Sequence, residues 1–163
     1  MTIGQNAIGV NVAEALTLGS AVHVHPEWEL GTRVHGAAGK EYVYVQASGA
    51  VAANDVVILT EAFQAAKVDT TNSAGAVGDK VAVAPVAFSD DDYGWVQIYG
   101  ACTVNVGSSA SANTKLNTTG TAGRVDDDAT SGAETILGLV TTAAESDNAA
   151  AGMLNYPMID ATL

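Results

Sequence analysis

Glu41-Tyr42-Val43-Tyr44-Val45-Gln46 is β-branched and aromatic nearly from end to end, a composition that fits a pleated strand better than a helix. The runs that follow repeat the theme. Asp55-Val56-Val57-Ile58-Leu59-Thr60 is a short apolar run closed by polar residues and reads as a buried strand, and Lys80-Val81-Ala82-Val83-Ala84-Pro85 reads as a third. Trp95-Val96-Gln97-Ile98-Tyr99 is a fourth, which Cys102-Thr103-Val104-Asn105-Val106 continues beyond Gly100. A glycine inside a strand pattern marks a bulge or a bend, so Gly100 is expected to turn one long strand around a corner. Lys115-Leu116-Asn117-Thr118 and Gly123-Arg124-Val125-Asp126 flank Thr119-Gly120-Thr121-Ala122 as a hairpin with a longer loop. Thr135-Ile136-Leu137-Gly138-Leu139-Val140-Thr141 adds another apolar strand. Gly152-Met153-Leu154-Asn155-Tyr156-Pro157-Met158 closes the set, with Pro157 favouring a sheet edge.

Clusters of Gly, Ser, Thr, Asn and Asp, such as Asp69-Thr70-Thr71-Asn72-Ser73-Ala74-Gly75, separate these runs. Short strands at this spacing without amphipathic helices between them predict an all-β domain, a barrel or a sandwich. Helix is expected only over residues 11–18, where Asn11 could cap a turn or two, and as a short element in 143–151, a stretch that serves equally well as a loop. No repeat of fixed period appears, which excludes solenoids and propellers. Residues 1–30 lack clean alternation and read as an extended arm. Twenty such residues span roughly 65 Å when extended. The barrel or sandwich is then assigned to residues 31–163, and a poorly ordered terminus is the alternative to the arm.

A chain of 163 residues suits one domain. Its folded surface should be roughly 7,500 Å² against about 24,000 Å² unfolded, enough burial for a genuine core. Hydrophobic residues make up 48% of the chain and charged ones only 15%, which separates it from disordered sequences. Eighteen acidic against six basic residues leave a net charge of −12. That balance provides no basic footprint for nucleic acid and none for an anionic membrane. No apolar run approaches the ~20 residues of a bilayer span, and residues 1–10 lack the basic and apolar regions of a secretory signal. Cys102, the single cysteine, excludes an intrachain disulfide and a cysteine-rich zinc site.

Residues that could carry chemistry are few. His23, His25 and Glu27 would share one strand face and could ligate zinc, but Pro26 breaks their register and no further ligands support them; solvated or interface histidines are the alternative. The triplets Asp90-Asp91-Asp92 and Asp126-Asp127-Asp128 supply clustered oxygens for calcium, without the spacing of an EF-hand. They read more simply as solvated turns that block edge pairing. No Gly-x-Ser-x-Gly elbow is present, Gly36-Ala37-Ala38-Gly39-Lys40 lacks the P-loop pattern, and Cys102 in a strand reads as a small buried hydrophobe. The expectation is a protein that is not an enzyme, with no metal and no cofactor.

Tyr93-Gly94-Trp95-Val96-Gln97-Ile98-Tyr99-Gly100, together with Gly39-Lys40-Glu41-Tyr42-Val43-Tyr44-Val45, resembles the small head decoration, or cement, proteins of tailed bacteriophages. The pattern continues through Lys115-Leu116-Asn117-Thr118-Thr119-Gly120-Thr121-Ala122-Gly123, Asp126-Asp127-Asp128-Ala129-Thr130 and Ile136-Leu137-Gly138-Leu139-Val140 to Tyr156-Pro157, so that it spans residues 31–158 in order. The resemblance implies a β-rich, β-tulip-like domain on the outer surface of a virion capsid, bridging neighbouring copies of the major capsid protein. It implies no catalytic residues. Many such proteins are homotrimers, and a homotrimer is expected here.

The arm, with Val22, Val24 and Trp28, is expected to extend along a neighbouring subunit or capsid protein. Trp28 and Trp95 are the aromatic anchor candidates, although Trp95, inside a strand, also reads as core. Two other roles stay open: a receptor- or glycan-binding module stacking sugars on Tyr93, Trp95 and Tyr99, and a tail or neck component.

Overall fold

A computed structural model describes residues 10–18, 25–128 and 130–162. Among these, the only helical element is a 3-10 turn at Ala37–Gly39. The strands are β1 (Ala15–Leu16), β2 (Arg33–His35), β3 (Glu41–Ala47), β4 (Val56–Leu59), β5 (Gln64–Lys67), β6 (Lys80–Val83), β7 (Tyr93–Asn105), β8 (Lys115–Thr118), β9 (Val125–Asp126), β10 (Glu134–Thr141) and β11 (Ala149–Thr162). They join in one sheet in the order β1-β7-β3-β5-β4-β6-β11-β10-β8-β9, with β2 on β3 and further pairings of β7 with β6 and with β11. The protein is all-β.

Unbroken apolar runs, rather than strict alternation, are the mark of strands buried on both faces, and β3, β4 and β6 are such strands. Tyr42 and Tyr44 of β3 pack with Trp95, Val10 and Val12, while Val43, Val45 and Ala47 join Val57, Leu59, Ala65, Ala82, Val96 and Ile98 in a second cluster. The alternate residues of β4 and β6, Val56, Ile58, Val81 and Val83, face a third cluster with Val104, Leu116, Ile136, Leu139, Leu154 and Ile159. Small Val and Ala side chains let these layers approach closely. The second cluster is contributed by a circuit of pairings: β3 runs parallel to β5, β5 pairs β4, β4 pairs β6, and Val83↔Gln97 returns the path to β7 and so to β3.

The 13-residue β7 serves two parts of the sheet. It pairs with β3 from Tyr93 to Tyr99 and with β11 from Tyr99 to Asn105. Gly100 stands at the changeover with φ +93°, and a Cβ there would lie 3.2 Å from Lys40 Cα and 3.3 Å from the Gly39 carbonyl oxygen. The close backbone approach and the left-handed φ both call for glycine.

Several expectations are corrected. Residues 11–18 form no helix: Asn11 Oδ1 accepts a hydrogen bond from Ala13 N at 3.1 Å, closing a turn, and Ala15 and Leu16 then pair with Gly94 and Tyr93 of β7. Pairing to a sheet edge, with Val10 and Val12 spaced two apart against Tyr42, Tyr44 and Trp95, outcompetes a helix of two turns. Residues 143–148 are irregular and lead through a Ser146↔Ala149 bridge into β11. Pro157 is not on an edge, because β11 has β10 on one side and β7 and then β6 on the other. It sits where the pairing with β10 slips between Leu137 and Leu139, and a bulge tolerates the missing N–H.

Of residues 1–30, some of those described pack against the rest of the fold, while residues 25–29 are exposed. Val10, Val12 and Leu16 are buried, Leu30 packs on the same cluster, and Thr17 Oγ1 donates to Asp92 Oδ1 at 2.5 Å. Val12 is 1% exposed, so Val12→Asp would bury an unpaired carboxylate. That substitution is expected to cost about 3 kcal/mol or more in a denaturant melt; a loss below about 1 kcal/mol would show that this segment does not cover the tyrosines in solution.

Candidate functional site: an apolar sheet face

The outer side of β10 and β11 is largely apolar and is not covered by any of the described residues. Ile136, Leu139, Leu154 and Ile159 turn inward to the third cluster, whereas Leu137, Val140, Met153 and Met158 are exposed. Register places Leu137 opposite Met158 and Val140 opposite Met153, so these four form two cross-strand pairs. Tyr156 and Tyr99 continue the patch with ring centroids 5.2 Å apart. All six side chains are 37–46% exposed, and together they present roughly 500 Å² of largely apolar surface. That is the upper range for the largest patch on a monomer, where function is common.

Two local irregularities create this face. Leu137 and Val140 are three residues apart, so strict alternation would point them to opposite sides. The slip in pairing at Gly138 restores them to one side. A Cβ at Gly138 would stand 2.5 Å from the Asn155 carbonyl oxygen, which holds that position to glycine. On the facing strand Tyr156 adopts φ 48°, and its hydroxyl donates to the Glu41 carboxylate, which pushes the phenol pKa up.

Beside the tyrosines lies a pocket of about 190 Å³ lined by Val81, Ile98, Tyr156, Pro157 and Met158, with Arg33 and Lys80 in its walls. The Lys80 ammonium stands 5.5 Å from the Phe63 ring centroid. His35 Nε2 is 3.4 Å from Glu41 Oε1.

Of the described residues singled out from sequence, Tyr99 lies on this face, while Trp28, Tyr93 and Trp95 do not. Val22 and Val24 lie outside the described residues, as does His23. Trp28 is partly exposed and packs on Trp95 with centroids 6.2 Å apart. Trp95 is 3% exposed and lies 5.0 Å from Tyr44, so its indole belongs to the core. Tyr93, Trp95 and Tyr99 share no surface: the pairing shifts by one residue between Tyr42 and Glu41, which takes Tyr99 off the row that carries the other two.

The aspartate triplets act as clamps on turns rather than as freely solvated groups. Asp90 Oδ1 accepts from Gly49 N at 2.6 Å. Asp91 Oδ1 accepts from Gln46 Nε2 at 3.1 Å. Asp92, buried, accepts from Ser89 N at 2.7 Å. In the second triplet, burial pushes the Asp126 carboxyl up, while a backbone bond from Ser111 holds Asp127 down. Among the described residues no three His, Cys, Asp or Glu side chains gather to hold a metal ion.

Compared with protein-family models, with curated proteins and with solved structures, the chain matches none.

Cys102 is half-buried against the third cluster, and burial raises its thiol from the usual 9.0 to about 11. Only the thiolate is nucleophilic, so the two-unit rise removes about 99% of it at pH 8. Modification by a disulfide reagent at that pH is expected to run roughly a hundredfold slower in the folded chain than in denaturant. Rates within tenfold of each other would contradict this placement of the thiol.

Proposed function

We propose that this chain is a structural virion protein that decorates the outside of a tailed-phage capsid and stabilises it by bridging neighbouring major capsid proteins. The observation that carries the reading is the uncovered six-residue face of β7, β10 and β11. A stable interface buries about 800 Å² on each partner. The apolar face provides more than half of that, and its polar margin can supply the rest.

The pairing circuit through β3, β5, β4, β6 and β7 is read here as a small barrel, and the segment before β2 as the docked base of an arm. A barrel is a rigid platform, so little order has to be gained on binding. Each copy contributes modestly, while repetition around a shell multiplies the effect. The charge of −12 suits a protein outside the shell, apart from packaged DNA and from membranes. Homotrimers would place three such faces on one capsid position, tripling the contact per particle bound. In this role no bond is made or broken, and neither metal nor cofactor is called for.

The test is a charge placed in the face. Leu137→Glu combined with Met153→Glu should cut occupancy on purified expanded shells at least tenfold in co-sedimentation. The melting midpoint should stay within a few degrees, because both side chains are exposed. Full occupancy by the double variant would overturn the reading.

A further inference from the structure

Only six basic residues stand against eighteen acidic ones, and two of the six meet in one pocket. Arg33, on β2, and Lys80, at the start of β6, line the cavity of about 190 Å³ whose floor is Val81, Ile98, Pro157 and Met158. Among the described residues the ion pairs are His35 with Glu41 and Lys67 with Asp55; neither Arg33 nor Lys80 is ion-paired, and the nearby Glu41 carboxylate is engaged by His35 and by the Tyr156 hydroxyl. What sets these two cations apart is that they line one pocket together with apolar side chains.

Two bulky residues at left-handed φ stand at the same place. Tyr156, which lines the pocket, has φ 48°, and Phe63, whose ring lies beneath the Lys80 ammonium, has φ 58°. A bulky side chain at left-handed φ costs about 1 kcal/mol or more. Here the strain holds one aromatic ring in the pocket wall and the other under its cation. Met158 and Tyr156 also belong to the exposed face, so pocket and face form one continuous surface.

We propose that this pocket receives an extended segment of the major capsid protein in which an Asp or Glu adjoins a Leu, Ile or Val. The carboxylate would sit between Arg33 and Lys80, and the aliphatic side chain would rest on Tyr156 and Met158, the exposed apolar members of the lining. The planar guanidinium fork matches a carboxylate, and the volume takes one aliphatic side chain. A polyanion such as nucleic acid is repelled by the rest of the surface. The choice of partner rests on the docking role proposed above, whereas the recognition chemistry rests on the pocket alone.

The test uses the isotope-labelled full chain titrated with acetyl-Leu-Asp-Leu-amide and, separately, acetyl-Leu-Asn-Leu-amide, followed by NMR. The aspartate peptide should shift the signals of Arg33, Lys80, Tyr156 and Met158 and bind about fivefold or more tightly than the asparagine peptide. Rising salt should erase the difference. The preference should vanish in Arg33→Gln combined with Lys80→Gln and survive in Lys80→Arg. Equal binding of the two peptides, or shifts confined to other residues, would overturn the proposal. So would salt-sensitive self-association that disappears in the double glutamine variant, since it would place the carboxylate on a second copy of this chain. None of these readouts involves shells, so their failure leaves the capsid-docking reading intact, and loss of shell binding by the Leu137 and Met153 double variant leaves the pocket assignment intact.

Discussion

Double-sided burial of the central strands is the constraint on which the rest of the structure depends. A strand such as Glu41–Ala47, apolar on both faces, is stable only if each face is covered by something else. The β3–β5–β4–β6–β7 circuit covers one face of β3, and residues 10–16 cover the other. The outward residues of β4 and β6 are covered by β7, β8, β10 and β11. This layering consumes the apolar surface of the central strands and ends at the outer side of β10 and β11. Leu137, Val140, Met153 and Met158 stand there with no further layer of the described residues above them. The same economy that builds the core leaves one apolar face exposed, the face to which the proposed docking role is assigned.

Polar groups caught between the layers are handled unevenly. Asp55 is buried, yet its carboxylate meets Lys67 Nζ at 3.1 Å, Asn105 Nδ2 at 2.8 Å and Ala52 N at 2.8 Å, so its charge is matched. Thr118, Thr135, Asn117 and Ser73 likewise bond to one another or to nearby backbone. The hydroxyl of Tyr42 is buried without a hydrogen-bond partner, and burial raises its phenol pKa and that of Tyr44, where the Glu27 backbone offsets part of the rise. An unmade bond of this kind costs about 1–3 kcal/mol. The rings offset it by packing with Trp95 and against Val10 and Val12, which is a further reason why the segment before β2 has to dock.

Much of the fold was legible from local pattern. The apolar runs at residues 41–46, 55–60, 80–85, 95–106 and 135–141 all fall on strands, because their composition leaves no competing conformation. The hairpin around Thr119 to Ala122 also formed, with Asn117 opposite Asp126. β5 went unread, since Gln64-Ala65-Ala66-Lys67 has no β-branched residue and gains strand structure from pairing with β3 and β4. β1 and β2 are too short to leave a period. The candidate site was less legible still. Its residues lie within runs that read as buried strand, and only the slip at Gly138 and the left-handed Tyr156 turn them outward. The glycine within Thr135–Thr141 and Pro157 were the signals present, and each was open to a reading as a bend or an edge. Pairing of Arg33 with Lys80 depends on β2 and β6 being brought together by the sheet, which no local window contains.

The central claim is that the outer face of β10 and β11 is made to be covered by another protein's surface. A density map of the intact virion, with this chain fitted as a rigid body, addresses it most directly. The account predicts the chain on the outside of the shell, with Leu137, Met153 and Met158 buried against the major capsid protein across a subunit seam. A map in which that face looks out to solvent while the chain is held by a different surface would contradict it.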